Sequence, residues 1–320
     1  MVGNGLMGDS FRFHVDYDRR VPHAPASVIG KFATREPAAR ITCAEAGVYR
    51  TEVRFYQEIA PTIAMRAPSA YYAEIDEPSS DMGLILEDMG PARGGNQLLG
   101  ATVEDIYLAL KEAAALHGPR WNDPALKDID WLHANRPIHV RLIDVFESFM
   151  ATFHERYEAV LEPEFMAVCD RLTGRIGDFL LRTPNFQTIV HTDYRLDNML
   201  FDAKGGMVPL AVLDWQTVTC NAGPLDVAYL LGLNLPPHVR RELESDFLAF
   251  YLDQLGRHGV RHCSPADLEH EYRIGAFYGL FTAIVGSSTA KRTPRGDAMF
   301  MVMARGAATQ MLDLDTLNAL

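Results

Sequence analysis

Lysine is scarce in this chain. Lys31, Lys111, Lys127, Lys204 and Lys291 are the only five in 320 residues, and arginine carries the rest of the positive charge. Cysteine is scarcer still, with Cys43, Cys169, Cys220 and Cys263 far apart and no Cys-x-x-Cys pair. That spacing suggests neither a zinc knuckle nor a disulfide scaffold, and it fits four lone thiols in a reducing compartment, so a cytoplasmic protein is expected. No basic stretch leads into an apolar run near residue 1, so no secretion signal is expected. No apolar stretch reaches membrane-spanning length; 274–286 makes only about three turns and reads as a core helix, so no membrane association is expected. Thirty basic against forty-two acidic side chains give a net charge of −12, which argues against a general nucleic-acid binder.

Several motif classes are also missing. No Gly-Lys-Ser or Gly-Lys-Thr follows a glycine loop, so there is no Walker A motif. The glycines near the start precede a strand instead of following one and opening a helix, which excludes a dinucleotide fingerprint. His154-Glu155 has no second histidine at zincin spacing. What is present is ordinary globular material, 48% hydrophobic and 22% charged, long enough for one large domain or two lobes.

The character of the chain changes near residue 90. Phe11 to Tyr17 alternates apolar and polar with period two, and Ser27 to Phe32 is a second short strand, so the two read as a hairpin. Ala44 to Ile59 reads as a helix, and Tyr71–Glu74 and Gly83–Glu87 as two further strands. Pro91, Gly94 and Gly95 then punctuate the chain. From Thr102, a helix cap, the pattern is helical: 102–117, 141–159, 163–181, 224–232, 239–256, 267–288 and 297–311. Only 187–215 interrupts it, where Thr188–Val190 and Leu210–Leu213 read as short strands of a small hairpin inset. This organisation divides the chain into residues 1–90 and residues 91–320.

The inset carries the densest chemistry. Asp193 and Asn198 lie five apart in a polar loop, and Asp214 follows sixteen residues later at a strand end. A hairpin can bring such positions to one rim. Oxygen donors there suit Mg²⁺, which takes one or two carboxylates and fills its shell from phosphates and water. A glycine loop, a strand lysine (Lys31) and a helix carboxylate able to hold it (Glu52) supply the rest of a phosphate site.

These residues resemble the small-molecule branch of the kinase-like fold, the aminoglycoside phosphotransferase and choline kinase-like superfamily. The motifs are HTDYRLDN at 191–198, LDW at 213–215, GNGLMG at 3–8, SVIGKF at 27–32 and YRTEVRFY at 49–56. Within that branch the chain is similar to bacterial ecdysteroid-kinase-like phosphotransferases, from residue 2 to roughly 290. The resemblance implies an α+β, bilobal protein-kinase-like fold. It would have a small N-terminal antiparallel-sheet lobe that binds nucleotide and a large, mainly helical C-terminal lobe that carries catalysis and substrate. It also implies ATP- and Mg²⁺-dependent transfer of the γ-phosphoryl group to a hydroxyl of a small molecule. Asp193 would be the catalytic base, with Arg195 touching the transferred group or pairing with Asp193. Asn198 and Asp214 would hold the metal. Gly3, Gly5, Gly8 and Ser10 would cover the phosphates, Lys31 paired with Glu52 would contact them, and Glu87 and Met89 would flank the adenine. His191 would support the loop, and Asp226 would support the catalytic-loop backbone. Asp214-Trp215-Gln216 departs from Asp-Phe-Gly, and no Ala-Pro-Glu segment follows, so protein substrates are not expected.

The family usually places a helix and a strand ahead of the glycine loop. Here the loop begins at residue 2, so the small lobe is expected to lack its first strand, or the chain to start upstream. That shortening keeps a nucleotide-binding, pseudokinase-like regulator as an alternative, with a helical interaction scaffold behind it. A monomer or homodimer is expected. The helices of 239–288 are expected to wall the acceptor pocket. If Glu242, Glu244, Asp246 and Asp253 face inward they suit an amine; Tyr251, Tyr272, Phe277, Tyr278 and Phe281 suit a bulky apolar alcohol.

Overall fold

A computed structural model describes residues 8–19 and 22–320, without the side chains of 135–137. The described chain is α+β: an antiparallel sheet near the N-terminus and a large helical region after it. By contact it divides into two units, the described part of Met1–Arg93 with Met199–Val218, and Gly94–Asn198 with Thr219–Leu320.

In the first unit, β1 (Gly8–His14), β2 (Ser27–Ala33), β3 (Ala70–Asp76) and β4 (Asp81–Glu87) form an antiparallel sheet in the order β1-β2-β4-β3. The first strand starts three residues earlier than its period-two pattern suggests, because its partner fixes the register: Gly8 faces Ala33, Ser10 faces Lys31 and His14 faces Ser27. The helix expected over 44–59 is three pieces. Pro37–Glu45 opens on a proline, Gly47 at φ 71 breaks the run, and Val48–Arg54 continues into a π-helical turn, Phe55–Ile59. The second helix buries Tyr49, Glu52 and Val53, and the π turn buries Phe55, Tyr56 and Ile59.

The hairpin inset differs from its expected pairing. Thr188–Val190 does not pair with Leu210–Leu213. Met199–Ala203 pairs with Val208–Val212, and Thr188–Val190 pairs with Thr219–Asn221. Lys204 at φ 56 and Gly205 at φ 67 make the tight turn that closes the first of these pairs. The alternating burial of Met-Leu-Phe-Asp-Ala at 199–203 marks the strand that the apolar-run criterion passed over. This hairpin clusters with the N-terminal sheet unit, so the larger unit is discontinuous in sequence.

The second unit is built on helices Val103–His117, Asn135–Tyr157, Pro163–Thr173, Ile176–Leu181, Pro224–Asn234, Pro237–Arg257, Pro265–Thr289 and Pro294–Asp313. Its core joins Phe146 and Phe153 to Phe277, Leu280, Ile284, Ala304 and Ala308. Pro224–Asn234 is buried along its whole length, so it serves as the central rod of the unit. Among the described residues, no helix is long and apolar enough to cross a membrane.

Candidate active site

The first unit builds its polar centre around one lysine. Lys31 projects from β2, and its Nζ donates to Glu52 Oε1 at 2.7 Å and to Asp214 Oδ1 at 2.9 Å. The side chains of Lys31 and Glu52 are 12% and 1% exposed, whereas that of Asp214 is 39% exposed. Burial works against the ammonium charge, but Asp214 and Glu52 outweigh it and hold the Lys31 pKa above its ordinary value. Burial pushes the Glu52 carboxyl upward; Lys31 opposes that shift and the negative charge of Asp214 adds to it. One ammonium thus stands between two carboxylates, an excess of negative charge at hard oxygen donors.

The scaffold around this trio is rigid. Phe55, three residues after Glu52, stacks on Trp215, the residue after Asp214, with ring centroids 3.9 Å apart and planes at 5°. Both rings are fully buried. The Glu52 helix and the Asp214 turn are thereby clamped together. Asp214 itself sits at φ 66, a left-handed conformation costly for a non-glycine residue and typical of positions whose surroundings over-determine them.

Gly3 and Gly5 lie outside the described residues. Gly8 begins β1, where a Cβ would come within 3.1 Å of the Phe32 carbonyl oxygen, and Ser10 lies directly opposite Lys31. Glu87 is committed to its own unit: it accepts from Arg66 at 2.7 Å and from the Ser69 backbone at 3.2 Å, and pairs with Lys204 at 3.0 Å. Met89 is buried against Ala203 and Ala211, and its carbonyl accepts from the Lys204 backbone at 2.9 Å.

Asp88, between them, is the functional-looking residue that sequence reasoning passed over. It accepts from Arg12 Nε at 2.6 Å, Ser27 Oγ at 2.7 Å and the Gly90 amide at 2.9 Å. Burial opposes its charge, yet these donors hold its pKa down at about 2. The signal was only local: a carboxylate between Glu87 and a Gly-Pro pair. Its partners come from two other strands.

The second unit holds the loop after Thr188–Val190. Asp193 Oδ1 accepts from Arg195 Nε at 2.8 Å and Tyr229 Oη at 3.0 Å, and Oδ2 accepts from Asn198 Nδ2 at 2.7 Å. The Asn198 nitrogen also donates to the Asp193 carbonyl at 2.9 Å, which leaves the amide oxygen as the acceptor end. Arg195 reaches Asp197 at 3.1 Å, and Arg295 reaches the same Asp197 oxygen at 3.0 Å. Burial disfavours the Arg195 charge, but Asp193 leads the opposing interactions and keeps its pKa raised. Burial, then the Asp193 charge, pushes the Tyr229 pKa well above normal, so that phenol remains a donor.

Asp226 organises the backbone of this loop. It is fully buried and accepts from the amides of His191 at 2.7 Å and Thr192 at 2.8 Å. His117 Nε2 lies 3.2 Å from the same carboxylate, and His117 Nδ1 lies 2.7 Å from Tyr251 Oη. These bonds hold Thr192 at φ 64, a strained value for a β-branched residue, immediately before Asp193. His191 is fully buried, and its Nδ1 accepts from the Asp193 amide at 3.2 Å, a supporting contact.

Within the first unit, Asp214 offers a part-exposed carboxylate beside a lysine shared between two acids, a donor type that suits a hard divalent cation. Within the second unit, Asn198 offers an amide oxygen. The acids expected near an acceptor are on the surface or engaged. Glu242, Asp246 and Asp253 are exposed, and Glu244 takes Arg240 at 2.7 Å and Tyr272 Oη at 2.5 Å. Tyr251, Tyr272 and Phe277 are fully buried core residues.

Comparison with known proteins agrees with this architecture. The sequence model of the ecdysteroid kinase-like family matches residues 127–263. No curated protein matches the chain. Among solved structures, the ethanolamine kinase of Plasmodium vivax superposes with a TM-score of 0.55 at 14% identity, covering 95% of this chain and 80% of that one. Choline kinase from Cryptosporidium parvum Iowa II gives 0.53 at 14% identity over 98% and 87% of the two chains. The GDP complex of aminoglycoside 2′-phosphotransferase-IIIa gives 0.53 at 12% identity over 96% and 91%. The chain therefore has the kinase-like fold of the aminoglycoside phosphotransferase, choline kinase and ecdysteroid kinase-like superfamily.

Proposed function

We propose that this chain is an ATP- and Mg²⁺-dependent kinase that phosphorylates a hydroxyl of a small molecule. The observation that carries the reading is the lysine of β2 held by one buried and one part-exposed carboxylate. Such a lysine is a fixed cation aimed by its partners, and phosphoryl transfer needs positioning and charge stabilisation more than covalent chemistry.

In this reading the acceptor oxygen attacks the γ-phosphorus, the bond to the bridging oxygen breaks, and ADP leaves with that electron pair. The hydroxyl proton passes to the Asp193 carboxylate, which Arg195, Tyr229 and Asn198 hold in one orientation. Lys31 offsets charge on the nucleotide phosphates, and the strand beginning at Gly8 runs beside it. Asn198 and Asp214 would hold Mg²⁺, which when bound neutralises charge on the phosphoryl oxygens. In this reading Glu87 and Met89 serve the adenine side through backbone groups other than the Glu87 amide and the Met89 carbonyl, which are engaged, as their side chains are.

The test is ATP consumption and mass-spectrometric detection of phosphorylated product across a library of alcohols, with and without Mg²⁺. Magnesium-dependent product that disappears in Asp193→Asn supports the reading. Tight nucleotide binding with no product from any alcohol would replace it with the regulatory, pseudokinase-like alternative.

A further inference from the structure

Helices Ile176–Leu181 and Pro265–Thr289 and the strand end at Asn221 enclose a small cleft of about 40 Å³. Arg182, Glu271, Asn221, His139, Phe179 and Tyr278 line it. That volume is enough for a small polar group such as a carboxylate. The cleft belongs wholly to the unit that carries Asp193, and Tyr278 connects the two. Thr192 hydrogen-bonds the Tyr278 hydroxyl, which also feels the charge of Asp193. The Tyr278 ring lies 5.7 Å from that of Tyr229, whose hydroxyl donates to Asp193.

The polar character of the cleft is one-sided. Glu271 is its only carboxylate, and that side chain is fully buried with both oxygens occupied. Arg182 Nη2 donates to Oε1 and Oε2 at 2.7 Å each, and the Asn185 amide donates to Oε1 at 2.9 Å. The guanidinium is therefore fixed through a single nitrogen, with Nε and Nη1 donating to no described residue. Asn221 uses its amide oxygen on the Ala222 backbone at 2.8 Å, so its Nδ2 is the end left to donate. A preorganised guanidinium edge beside an amide donor recognises an acceptor-only group, and a carboxylate is the small group that matches it.

Resting on the kinase reading above, we propose that this cleft receives a carboxylate of the acceptor, so that the substrates are hydroxy acids and not amines. The acid anchors on Arg182 and Asn221, and the chain of the substrate passes Tyr278 to bring its hydroxyl to Asp193. An amine would have to compete with Arg182 and the Asn185 amide for Glu271, the one carboxylate of the lining.

The test uses a panel of aliphatic and aromatic hydroxy acids, each beside its primary amide and the matching amino alcohol. Transfer is read by product mass, and binding is read separately by calorimetry with lactate and para-hydroxyphenylacetate. Acids are expected to be preferred over their amides. That preference should fall by about ten- to a hundredfold in Arg182→Gln, the size of one charged hydrogen bond. Because Arg182→Gln strands Glu271, the double variant Arg182→Gln/Glu271→Gln and the milder Asn221→Ala carry the same test in a soundly folded background. Amides or amino alcohols turned over as well as acids would overturn the proposal while leaving the kinase reading intact. So would an acid preference unchanged in both variants, or absence of carboxylate binding. No transfer to any acceptor, with Arg182-dependent carboxylate binding retained, would instead remove the kinase reading and with it the acceptor role of the cleft.

Discussion

Lys31 and Asp214 stand 183 positions apart, and Nζ of one meets Oδ1 of the other at 2.9 Å. The meeting depends on three separate decisions of the chain. β2 is pinned between β1 and β4, which aims the lysine. Glu52 approaches from the Val48–Arg54 helix and takes the second ammonium hydrogen bond. The Phe55–Trp215 stack then fixes the turn that carries Asp214.

Lys31→Met should therefore damage stability as well as activity. It leaves Glu52, 1% exposed, beside Asp214 with no counter-charge. Removing one partner of a buried pair costs about 3–5 kcal/mol. Urea denaturation should show that loss in Lys31→Met and a much smaller one in Lys31→Met/Glu52→Gln. A single variant as stable as the double would show that the pair does not couple.

On the proposed mechanism Asp193→Asn should act mainly on activity: it removes the proton acceptor, and it costs less stability than Lys31→Met because the Asp193 side chain is 29% exposed. The asparagine keeps one oxygen for Tyr229 or Asn198 but cannot take the hydroxyl proton. Turnover should fall by about 10²–10⁴, the usual worth of a positioned general base. Steady-state kinetics beside an unchanged circular dichroism spectrum checks this.

Much of this was legible in sequence because it rests on spacing along one segment. HTDYRLDN puts Asp193 and Asn198 in one loop, and a carboxylate on the helix after a strand lysine is a natural partner for it. What was not legible is partner choice across the fold. Asp88 reads as an ordinary turn acid until Arg12 and Ser27 are brought beside it by the β1-β2-β4 register. Tyr229 sits in an apolar helical run, and nothing local shows that its hydroxyl ends on Asp193. The hairpin pairing was missed for a related reason: apolar runs mark strands, but the Lys204-Gly205 turn decides which strand answers which.

Asp88 gives a dependence on acid. Its carboxyl titrates near 3.8 when unperturbed and at about 2 in the fold. A depressed pKa means the folded state binds the proton less readily than the unfolded chain does. The stabilisation is complete above about pH 4 and is lost as pH falls toward 2. The urea midpoint of the wild type should drop through that window, and Asp88→Asn should flatten that limb. Parallel acid limbs would assign the loss to other carboxylates.

Asp226→Asn tests how the loop before Asp193 is held. The native carboxylate is acceptor-only, and every group facing it is a donor: the amides of His191 and Thr192, and His117 across 3.2 Å. An asparagine there matches one backbone donor with its oxygen and must turn its own NH₂ toward the other, or toward His117. One buried backbone amide is then left without an acceptor, at a cost of about 1–3 kcal/mol. The loss falls where Thr192 is held at φ 64, so relaxation of that residue rotates the peptide that leads into Asp193. Turnover should therefore fall while nucleotide affinity, which the proposed mechanism assigns to Lys31 and its carboxylates, stays within about twofold. Asp226→Ala removes the acceptor altogether and should be worse in stability. Kinetics and nucleotide titration on both variants decide the matter: equal loss of turnover and nucleotide affinity would mean that Asp226 supports the fold at large and not the loop alone.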